Sequence, residues 1–326
     1  MVILSSYLLD EAGNARIEEA IAPHGDTFIR APEGADERIA LLEERIADAD
    51  ILFGGRLTAE QWRRAARLGW IHVPWAGVNS LLAVEEIGAS DLVITNSSGV
   101  MSDAVADQVM GYIISISRDF PAQMRARARR EWSRYDVQSP RRRILRGNTI
   151  GIIGYGAIGR GVAERARAFG MKVIATKRDI SGIADGPDRV IPSAELETLL
   201  AESDYVVATL PLSAETRGMI GRREFSMMKP TAYFINIARG AIAREREMIT
   251  AIEDGTIAGA ALDVFEQEPL PPDSPLWDME NVIITPHSSG GFQGFRSATV
   301  DLFLENLSRW RNGQPLLNRV VSERGY

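Results

Sequence analysis

Three side chains that could carry acid–base and carboxylate chemistry each follow a short apolar run. Arg239 follows YFINIA, and His287 follows NVIIT and a proline. Glu268 comes three positions after ALDVF, in a segment that also supplies Asp263 and Glu266 as carboxylates. Such runs are typical of buried parallel strands, and ligands of open α/β sheets bind beyond the carboxyl ends of these strands. An arginine there can bind a substrate carboxylate through two hydrogen bonds or can make a surface ion pair. A histidine near a carboxylate can exchange a proton with substrate.

The chain has only three histidines, so each can be weighed separately. His24 lies in a predicted turn, and His72 lies inside the apolar run Trp70–Val73, where a histidine is usually a hydrogen-bonded structural residue. His287 alone follows a predicted strand and precedes a glycine turn. It is therefore the candidate acid–base group.

A glycine-rich segment, TIGIIGYGAIGR at Thr149–Arg160, predicts a dinucleotide-binding turn between a strand and a helix. In such a turn Gly154 permits the bend, Gly156 lets backbone approach a pyrophosphate, and Gly159 lets helix and strand pack closely. The helix N-terminus offers N–H groups and a positive dipole end to the phosphates. The predicted cofactor contacts in this segment are Gly154, Tyr155, Gly156, Ala157, Ile158 and Gly159.

The end of the next predicted strand favours NADP(H), with NAD(H) as the alternative cofactor. An acidic residue about 20 positions past the glycines normally binds the ribose 2′-hydroxyl of NAD. Here the strand runs into Lys177 and Arg178, whose charges can neutralise a 2′-phosphate. Alternatively, these are ordinary surface charges and Asp179 binds the ribose of NAD.

The elements that position these residues follow from apolar runs that alternate with helical patterns and lack hairpin signals. The first-sheet strands are predicted at Val2–Leu4, Thr27–Ile29, Ile51–Phe53, Trp70–Val73 and Leu92–Thr95. The second-sheet strands are predicted at Ile150–Ile153, Lys172–Thr176, Tyr205–Leu210, Ala232–Ile237, Ala258–Val264 and Asn281–Thr285. The predicted fold class is α/β, with two doubly wound parallel-sheet domains joined by a long apolar helix after Met101 that ends or kinks at Pro121.

The composition of the chain excludes several classes of function. With 326 residues, 45% apolar and 25% charged, the chain suits two globular domains, and no apolar run reaches the about 18 residues of a membrane span. The absence of cysteine excludes disulfides and thiolate chemistry. No basic segment precedes the first apolar run, so we expect no signal peptide and a cytoplasmic location. A net charge of −7 argues against a nucleic-acid partner, and we expect no metal.

A basic arm precedes the glycine-rich segment. It could bind a polyanion, but a solvated or subunit-facing arm balanced by carboxylates elsewhere is the favoured interpretation. Its nine arginines are Arg125, Arg127, Arg129, Arg130, Arg134, Arg141, Arg142, Arg143 and Arg146.

The chain resembles the D-isomer-specific 2-hydroxyacid dehydrogenases over nearly its whole length. The resemblance rests on GIIGYGAIG, NIARGAI, ALDVFEQEPLP and NVIITPHSSGG in the family's order, with WAGVNSL and TNSSGV upstream. It implies a Rossmann nucleotide-binding domain, 101–286, inserted in a flavodoxin-like substrate domain, 1–100 plus 287–326. It also implies a homodimer that pairs through the nucleotide-binding domain. The helix after Met101 carries Asp107 and Gln108 where relatives often have glutamate and histidine, and we interpret the second change as structural.

The resemblance implies roles for named residues. Arg239 binds the substrate carboxylate, His287 is the acid or base, and Glu268 stabilises its protonated form, while Asp263 lies on the nicotinamide side. Further cofactor contacts are implied at Leu210, Pro211, Thr216, Ile237, Ala238 and Gly290. Substrate contacts are implied at Trp75, Ala76, Gly77, Val78 and Arg239, although Trp75 could simply pack.

Two functions remain open from the sequence. The favoured one is a nicotinamide-dependent reductase that converts a small 2-keto acid, such as glyoxylate or hydroxypyruvate, to a D-2-hydroxy acid. The alternative is a corepressor-like protein that senses dinucleotide without significant turnover, since such relatives retain the same three residues.

Overall fold

The structure is a computed structural model that describes residues 1–132, 142–181 and 188–320. It forms two compact units. Residues 1–101 and 292–326 contribute to the first unit, and residues 102–291 contribute to the second. The second unit is thus inserted in the first. The predicted domain boundary assigns 287–291 to the first domain, but these residues group with the second unit, where the His287 amide donates to Asp263 O at 2.8 Å.

The elements of the described residues are numbered in chain order. The strands are β1 (Val2–Ser5), β2 (Thr27–Ile29), β3 (Ile51–Phe53), β4 (Trp70–Val73), β5 (Val93–Asn96), β6 (Thr149–Ile153), β7 (Lys172–Lys177), β8 (Arg189–Pro192), β9 (Tyr205–Ala208), β10 (Tyr233–Asn236), β11 (Gly259–Leu262) and β12 (Val282–Ile284). The α-helices are α1 (Glu11–Ile21), α2 (Ala35–Arg45), α3 (Ala59–Arg64), α4 (Asn79–Leu82), α5 (Glu85–Gly88), α6 (Ser102–Ser117), α7 (Phe120–Ala128), α8 (Ala157–Ala168), α9 (Leu196–Glu202), α10 (Arg222–Met227), α11 (Glu245–Glu253) and α12 (Phe295–Arg311).

The first unit is built on a five-stranded parallel sheet in the order β2-β1-β3-β4-β5. This is the flavodoxin-like order, whose strands are buried on both faces and are therefore apolar throughout. Helix α12 brings Phe303 against the face that carries Phe53 and Trp70, with ring centroids 4.7 Å and 5.4 Å apart. Helix α12 thus completes the core of the first unit.

The second unit has a seven-stranded parallel sheet in the order β12-β11-β10-β9-β6-β7-β8. Strands β6 to β11 follow the Rossmann order, and the sequence direction reverses between β6 and β9. Helix α8 packs closely against α6 at Gly161. A Cβ added to this glycine would lie only 3.2 Å from the Ala106 methyl carbon. The predicted fold class of two doubly wound parallel sheets is confirmed.

Helix α3 begins with a capping box, in which Thr58 Oγ1 accepts from the Gln61 amide at 3.1 Å and Gln61 Oε1 accepts from the Thr58 amide at 2.9 Å. The long helix breaks as expected, since α6 ends at Ser117 and Pro121 lies in the first turn of α7. Strand β8, a short edge strand that ends in a proline, is not among the predicted strands. Within the described residues, no helix has the length and apolar character to cross a membrane.

Candidate active site

The glycine turn after β6 has the geometry that a dinucleotide phosphate requires. Gly154 has φ of +99°, and a Cβ there would lie 2.9 Å from the Leu210 Cβ. A Cβ on Gly159 would lie 2.5 Å from the carbonyl oxygen of Gly154, so α8 packs directly on the turn. A Cβ on Gly156 meets nothing within 4 Å. The turn is therefore closely packed against the protein at Gly154 and Gly159, and it faces open space at Gly156.

The N-terminus of α8 suits an anion. Its N-cap residue is Gly156, which has no side chain to bond the first amides, and the first turn contains no acidic residue. The amides of this turn and the helix dipole therefore face open space with a positive potential. Ala157 and Ile158 lie in that first turn, whereas the Tyr155 amide donates to Thr176 O at 3.0 Å.

The loop after β9 lies beside the turn at the switch point of the sheet. Thr209 donates its hydroxyl to Gly154 O at 2.5 Å, which ties the two loops together. Further along, Thr216 donates to Pro211 O at 2.8 Å and accepts from the Ser213 amide at 2.7 Å. Leu210 and Thr216 are half-buried and Pro211 is exposed. This loop is therefore ordered by its own polar contacts.

The two basic residues predicted to anchor a 2′-phosphate lie at the end of β7. Lys177 is the last residue of the strand and is half-buried, while Arg178 is exposed, with its Nη2 3.5 Å from Glu215 Oε2. Asp179 is occupied locally, because its Oδ1 accepts from the amide and hydroxyl of Ser181 at 2.9 Å and 2.6 Å. These bonds lower the pKa of Asp179, and the Lys177 charge adds a small contribution.

Arg239 lies in a turn that the Asn236 side chain stabilises by two hydrogen bonds. The Asn236 amide donates to Arg239 O at 3.0 Å, and its carbonyl oxygen accepts from the Ala238 amide at 3.1 Å. Ile237 and Ala238 are buried, and Arg239 is half-buried. Burial lowers the pKa of Arg239, and the Glu268 charge opposes that shift.

Gly240 brings this turn against the segment that carries Glu268. A Cβ on Gly240 would lie 1.9 Å from the carbonyl carbon of Phe265 and 2.4 Å from the Glu266 nitrogen. Only a glycine permits this backbone contact. The segments of Arg239 and Glu268 therefore pack on each other directly.

Glu268 and His287 form the central pair of the site. His287 Nδ1 lies 2.7 Å from Glu268 Oε2, and Glu268 Oε1 accepts from the Phe265 amide at 3.1 Å. His287 has φ of +51°, in the left-handed region that non-glycine residues rarely occupy. The structure thus brings together Arg239, Glu268 and His287 in the second unit.

Asp263 holds the loop that carries His287. Its buried carboxylate accepts from the Thr285 hydroxyl at 2.5 Å, the Ser288 amide at 2.9 Å and the Ser289 amide at 3.0 Å. Gly290 follows as a half-buried residue of the same turn. An ionised carboxylate has about four acceptor positions, so these three donors leave about one for a ligand.

The predicted substrate residues Trp75, Ala76, Gly77 and Val78 lie in the first unit, directly after β4. Asn96 donates to Ala76 O at 2.7 Å, and the Ser97 amide donates to Trp75 O at 3.1 Å. The Trp75 ring packs edge-on against Tyr7, with centroids 6.3 Å apart, and a Cβ on Gly55 would lie 2.6 Å from it. Val78 is buried.

The other histidines have no place in this chemistry. His24 is exposed. His72 is fully buried, with Nδ1 2.8 Å from Thr95 Oγ1 and Nε2 3.2 Å from Ser97 Oγ, and burial lowers its pKa to about 3. Within the described residues, no group of three or more carboxylates and histidines could hold a metal ion.

Parts of the basic arm pair with carboxylates. Arg125 lies 3.2 Å from Glu280, and Arg129 lies 2.9 Å from Glu131. Arg143 donates to Thr231 O at 3.0 Å. Arg134 and Arg141 lie outside the described residues.

Sequence reasoning missed residues that support the site without being named as part of it. They are Asn236, Thr285, Ser288 and Ser289. Asn236 carried a usable signal, because a polar amide at the last position of a buried strand needs a local partner.

The chain matches a known family by sequence. The family model for the NAD binding domain of D-isomer specific 2-hydroxyacid dehydrogenases matches residues 110–289. A glyoxylate reductase from Thermococcus gammatolerans is 35% identical over 322 residues, which cover 94% of this chain and 96% of that protein.

Solved structures are similar over the whole chain. A D-isomer specific 2-hydroxyacid dehydrogenase family protein from Aeromonas salmonicida has a TM-score of 0.82 and 32% identity, with 98% of each chain covered. An NADPH-dependent glyoxylate/hydroxypyruvate reductase from Sinorhizobium meliloti, crystallised with NADP and sulfate, has a TM-score of 0.81 and 26% identity, with 100% of this chain and 99% of that chain covered. This chain therefore belongs to the D-isomer-specific 2-hydroxyacid dehydrogenase family and is a nicotinamide-dependent oxidoreductase.

Proposed function

We propose that the protein is an NADPH-dependent reductase that converts a small 2-keto acid to a D-2-hydroxy acid, with Arg239, Glu268 and His287 as its catalytic residues. The observation that carries this proposal is the 2.7 Å pair of His287 Nδ1 and Glu268 Oε2 on the loops beside Arg239. Reduction of a keto acid needs a cation for the carboxylate and a proton donor for the carbonyl oxygen, and these side chains are suited to the two roles.

The pair also supports a choice between the two ring nitrogens as the reacting atom. Glu268 as a carboxylate only accepts hydrogen bonds, so His287 Nδ1 carries a proton in both charge states. Nε2 is then the atom that gives its proton to the carbonyl oxygen during reduction. In the reverse reaction neutral Nε2 takes the proton from the hydroxyl of the hydroxy acid.

Arg239 orients the substrate in this proposal. Its planar guanidinium can bind a carboxylate through two parallel hydrogen bonds, which fixes the rotation of the keto acid as well as its position. The backbone amides of Ala76, Gly77 and Val78 are proposed as further contacts for the carboxylate, and Trp75 as a contact for its side chain.

The cofactor fits the residues present. The open side of Gly156 and the α8 N-terminus suit a pyrophosphate, and Leu210, Pro211, Thr216, Ile237, Ala238, Asp263 and Gly290 are proposed as its remaining contacts. When bound, the nicotinamide supplies the hydride. Lys177 and Arg178 support NADP(H) over NAD(H), because no carboxylate ends β7 and Asp179 is engaged by Ser181. The S. meliloti relative, which is NADPH-dependent, agrees with this preference.

A reduction assay tests the function. We expect NADPH oxidation with glyoxylate or hydroxypyruvate, the substrates named for the two reductases similar to this chain. Pyruvate, phenylpyruvate and branched 2-keto acids compare longer side chains, and chiral analysis of the product tests the D configuration. Cofactor binding without turnover of any of these acids would instead support the dinucleotide-sensing alternative.

We further propose a homodimer that pairs through the second unit, and a cytoplasmic location. The exposed Trp132, with 89% of its surface accessible, and the neighbouring basic arm support the dimer, because a large exposed aromatic is typical of an interface. Light scattering at micromolar concentration should give twice the chain mass of 35.8 kDa. A mass of one chain would contradict the dimer.

A further inference from the structure

Tyr112 has a buried hydroxyl that contacts the site from α6. Its side chain is 3% exposed, and its oxygen forms a hydrogen bond with Thr285 Oγ1. Gln108, one helical turn earlier, opposes the effect of burial on the pKa of the same hydroxyl. Burial raises the pKa of Tyr112, so the hydroxyl stays protonated and can donate.

The direction of this chain of hydrogen bonds is fixed by proton count. Thr285 has one hydroxyl hydrogen, and it goes to Asp263 Oδ1 at 2.5 Å, because an ionised carboxylate can only accept. Thr285 Oγ1 must therefore accept from Tyr112. The order is Tyr112 to Thr285 to Asp263, with each hydroxyl acting as donor to the next residue.

Asp263 transmits this order to the backbone around His287. Its carboxylate accepts the amides of Ser288 and Ser289, the two residues after His287, and its carbonyl oxygen accepts the His287 amide at 2.8 Å. His287 also has a left-handed backbone conformation, which costs energy and persists only where neighbouring contacts enforce it.

We propose that Tyr112 is a positioning residue for His287, acting through Thr285 and Asp263 on the amides that hold the histidine loop. It touches neither substrate nor cofactor in this role. The proposal rests on the proposed function, in which His287 must face the carbonyl oxygen.

The test compares variants that remove single hydroxyl groups. Tyr112→Phe keeps the ring, and we expect kcat to fall about 10-fold, since small misplacements of catalytic groups have effects up to about 100-fold. The KM for NADPH should stay within about 2-fold, because the variant leaves the phosphate-binding turn intact. The primary deuterium isotope effect on kcat should rise, because the chemical step becomes slower than the others.

A second pair of variants tests the route through Thr285. Thr285→Val removes the hydroxyl with little change of shape and should lower kcat, whereas Thr285→Ser keeps it and should retain kcat. The double variant Tyr112→Phe with Thr285→Val should be no slower than Thr285→Val alone, because both break one chain. Additive losses would overturn the proposal.

Tyr205→Phe is the matched control. Tyr205 is buried in β9, in the seven-stranded sheet of the second unit. Its hydroxyl has no hydrogen-bond partner among the described residues. This variant should leave kcat and the isotope effect unchanged. Equal losses in Tyr112→Phe and Tyr205→Phe would mean that Tyr112 is only a packing residue, and wild-type kcat in Tyr112→Phe would also overturn the proposal.

Hydrogen exchange gives a readout that needs no activity. The amides of Ser288 and Ser289 should exchange faster in Tyr112→Phe than in the wild type, and unchanged exchange would contradict the proposal. A wild type that reduces no 2-keto acid would contradict the proposed function instead, while the exchange result would still decide the role of Tyr112 in holding this loop.

Discussion

Glu268 contacts the imidazole of His287 with one oxygen and its own loop with the other. Oε2 lies 2.7 Å from Nδ1, while Oε1 accepts the Phe265 amide at 3.1 Å. The side chains of His287 and Glu268 are 48% and 37% exposed, so solvent screens their attraction. The contact therefore contributes little to stability, and in the proposed mechanism it fixes the orientation and tautomer of the imidazole.

Replacing His287 with Ala should remove the proton donor. We expect kcat for keto-acid reduction to fall about 10²- to 10⁴-fold, the usual effect of losing a positioned acid–base group. The dissociation constant of NADPH should hardly change, since His287 is not among the proposed cofactor contacts. Steady-state kinetics and cofactor titration check both points, and turnover close to the wild type would remove His287 from the mechanism.

Replacing Glu268 with Gln should lower kcat by about 10-fold or more, because a neutral amide no longer stabilises the imidazolium or fixes its tautomer. Glu266→Gln is the matched control in the same segment. Glu266 Oε1 accepts the Glu245 amide at 3.1 Å, a bond that a glutamine oxygen can keep. Equal activity of the two variants would exclude Glu268 as the partner of His287.

Replacing Arg239 with Lys tests whether the substrate carboxylate needs the two parallel hydrogen bonds that a guanidinium can donate. We expect kcat/KM for the keto acid to fall about 10- to 100-fold, which corresponds to one charge-assisted hydrogen bond of about 1.5–3 kcal/mol. Arg244→Lys is the control, since Arg244 is exposed and pairs with Glu247 at 3.7 Å. An unchanged kcat/KM in Arg239→Lys would mean that a point charge suffices.

Arg178 and Glu215 should affect cofactor choice in opposite directions. Arg178→Ala should lower kcat/KM for NADPH about 10-fold or more and leave NADH unchanged, because only NADPH carries the phosphate. Glu215→Gln frees Arg178 and should raise the NADPH preference by a few-fold at most, since both side chains are exposed. A wild type that prefers NADH would contradict the assignment.

His72 should make the fold sensitive to acid. Its pKa is about 3 in the folded chain and about 6.5 when unfolded, so between these values the unfolded state binds the extra proton. Stability from this group is present above about pH 6.5 and is lost as the pH falls toward 3, by up to about 5 kcal/mol. Urea unfolding at pH 7 and pH 4 should show a larger loss for the wild type than for His72→Gln.

The sequence was informative wherever one chemical requirement fixed one residue type. The glycine pattern predicted the turn after β6, and the alternation of apolar runs predicted both sheets, because burial on two faces leaves no other composition for such strands. His287 was separable from His72 because one follows a strand and the other lies inside it. Edge strand β8 was missed, since a run that ends in proline is not distinguishable from a loop.

The contacts that hold the site could not be predicted from local pattern. Tyr112 and Thr285 are 173 positions apart, and only the packing of α6 brings them into contact. The engagement of Asp263 by Ser288 and Ser289 likewise depends on the path of the loop that follows β12. Nothing in the spacing of these residues indicates such pairs.

The backbone contact at Gly240 restricts how this scaffold can acquire new specificities. Because a Cβ there would lie 1.9 Å from Phe265, neither of the two packed loops can be lengthened or bulged without displacing the other. Loop-insertion libraries in these loops should therefore yield mostly inactive proteins. Directed evolution toward other keto acids has to proceed by side-chain replacement elsewhere, while this block is kept unaltered.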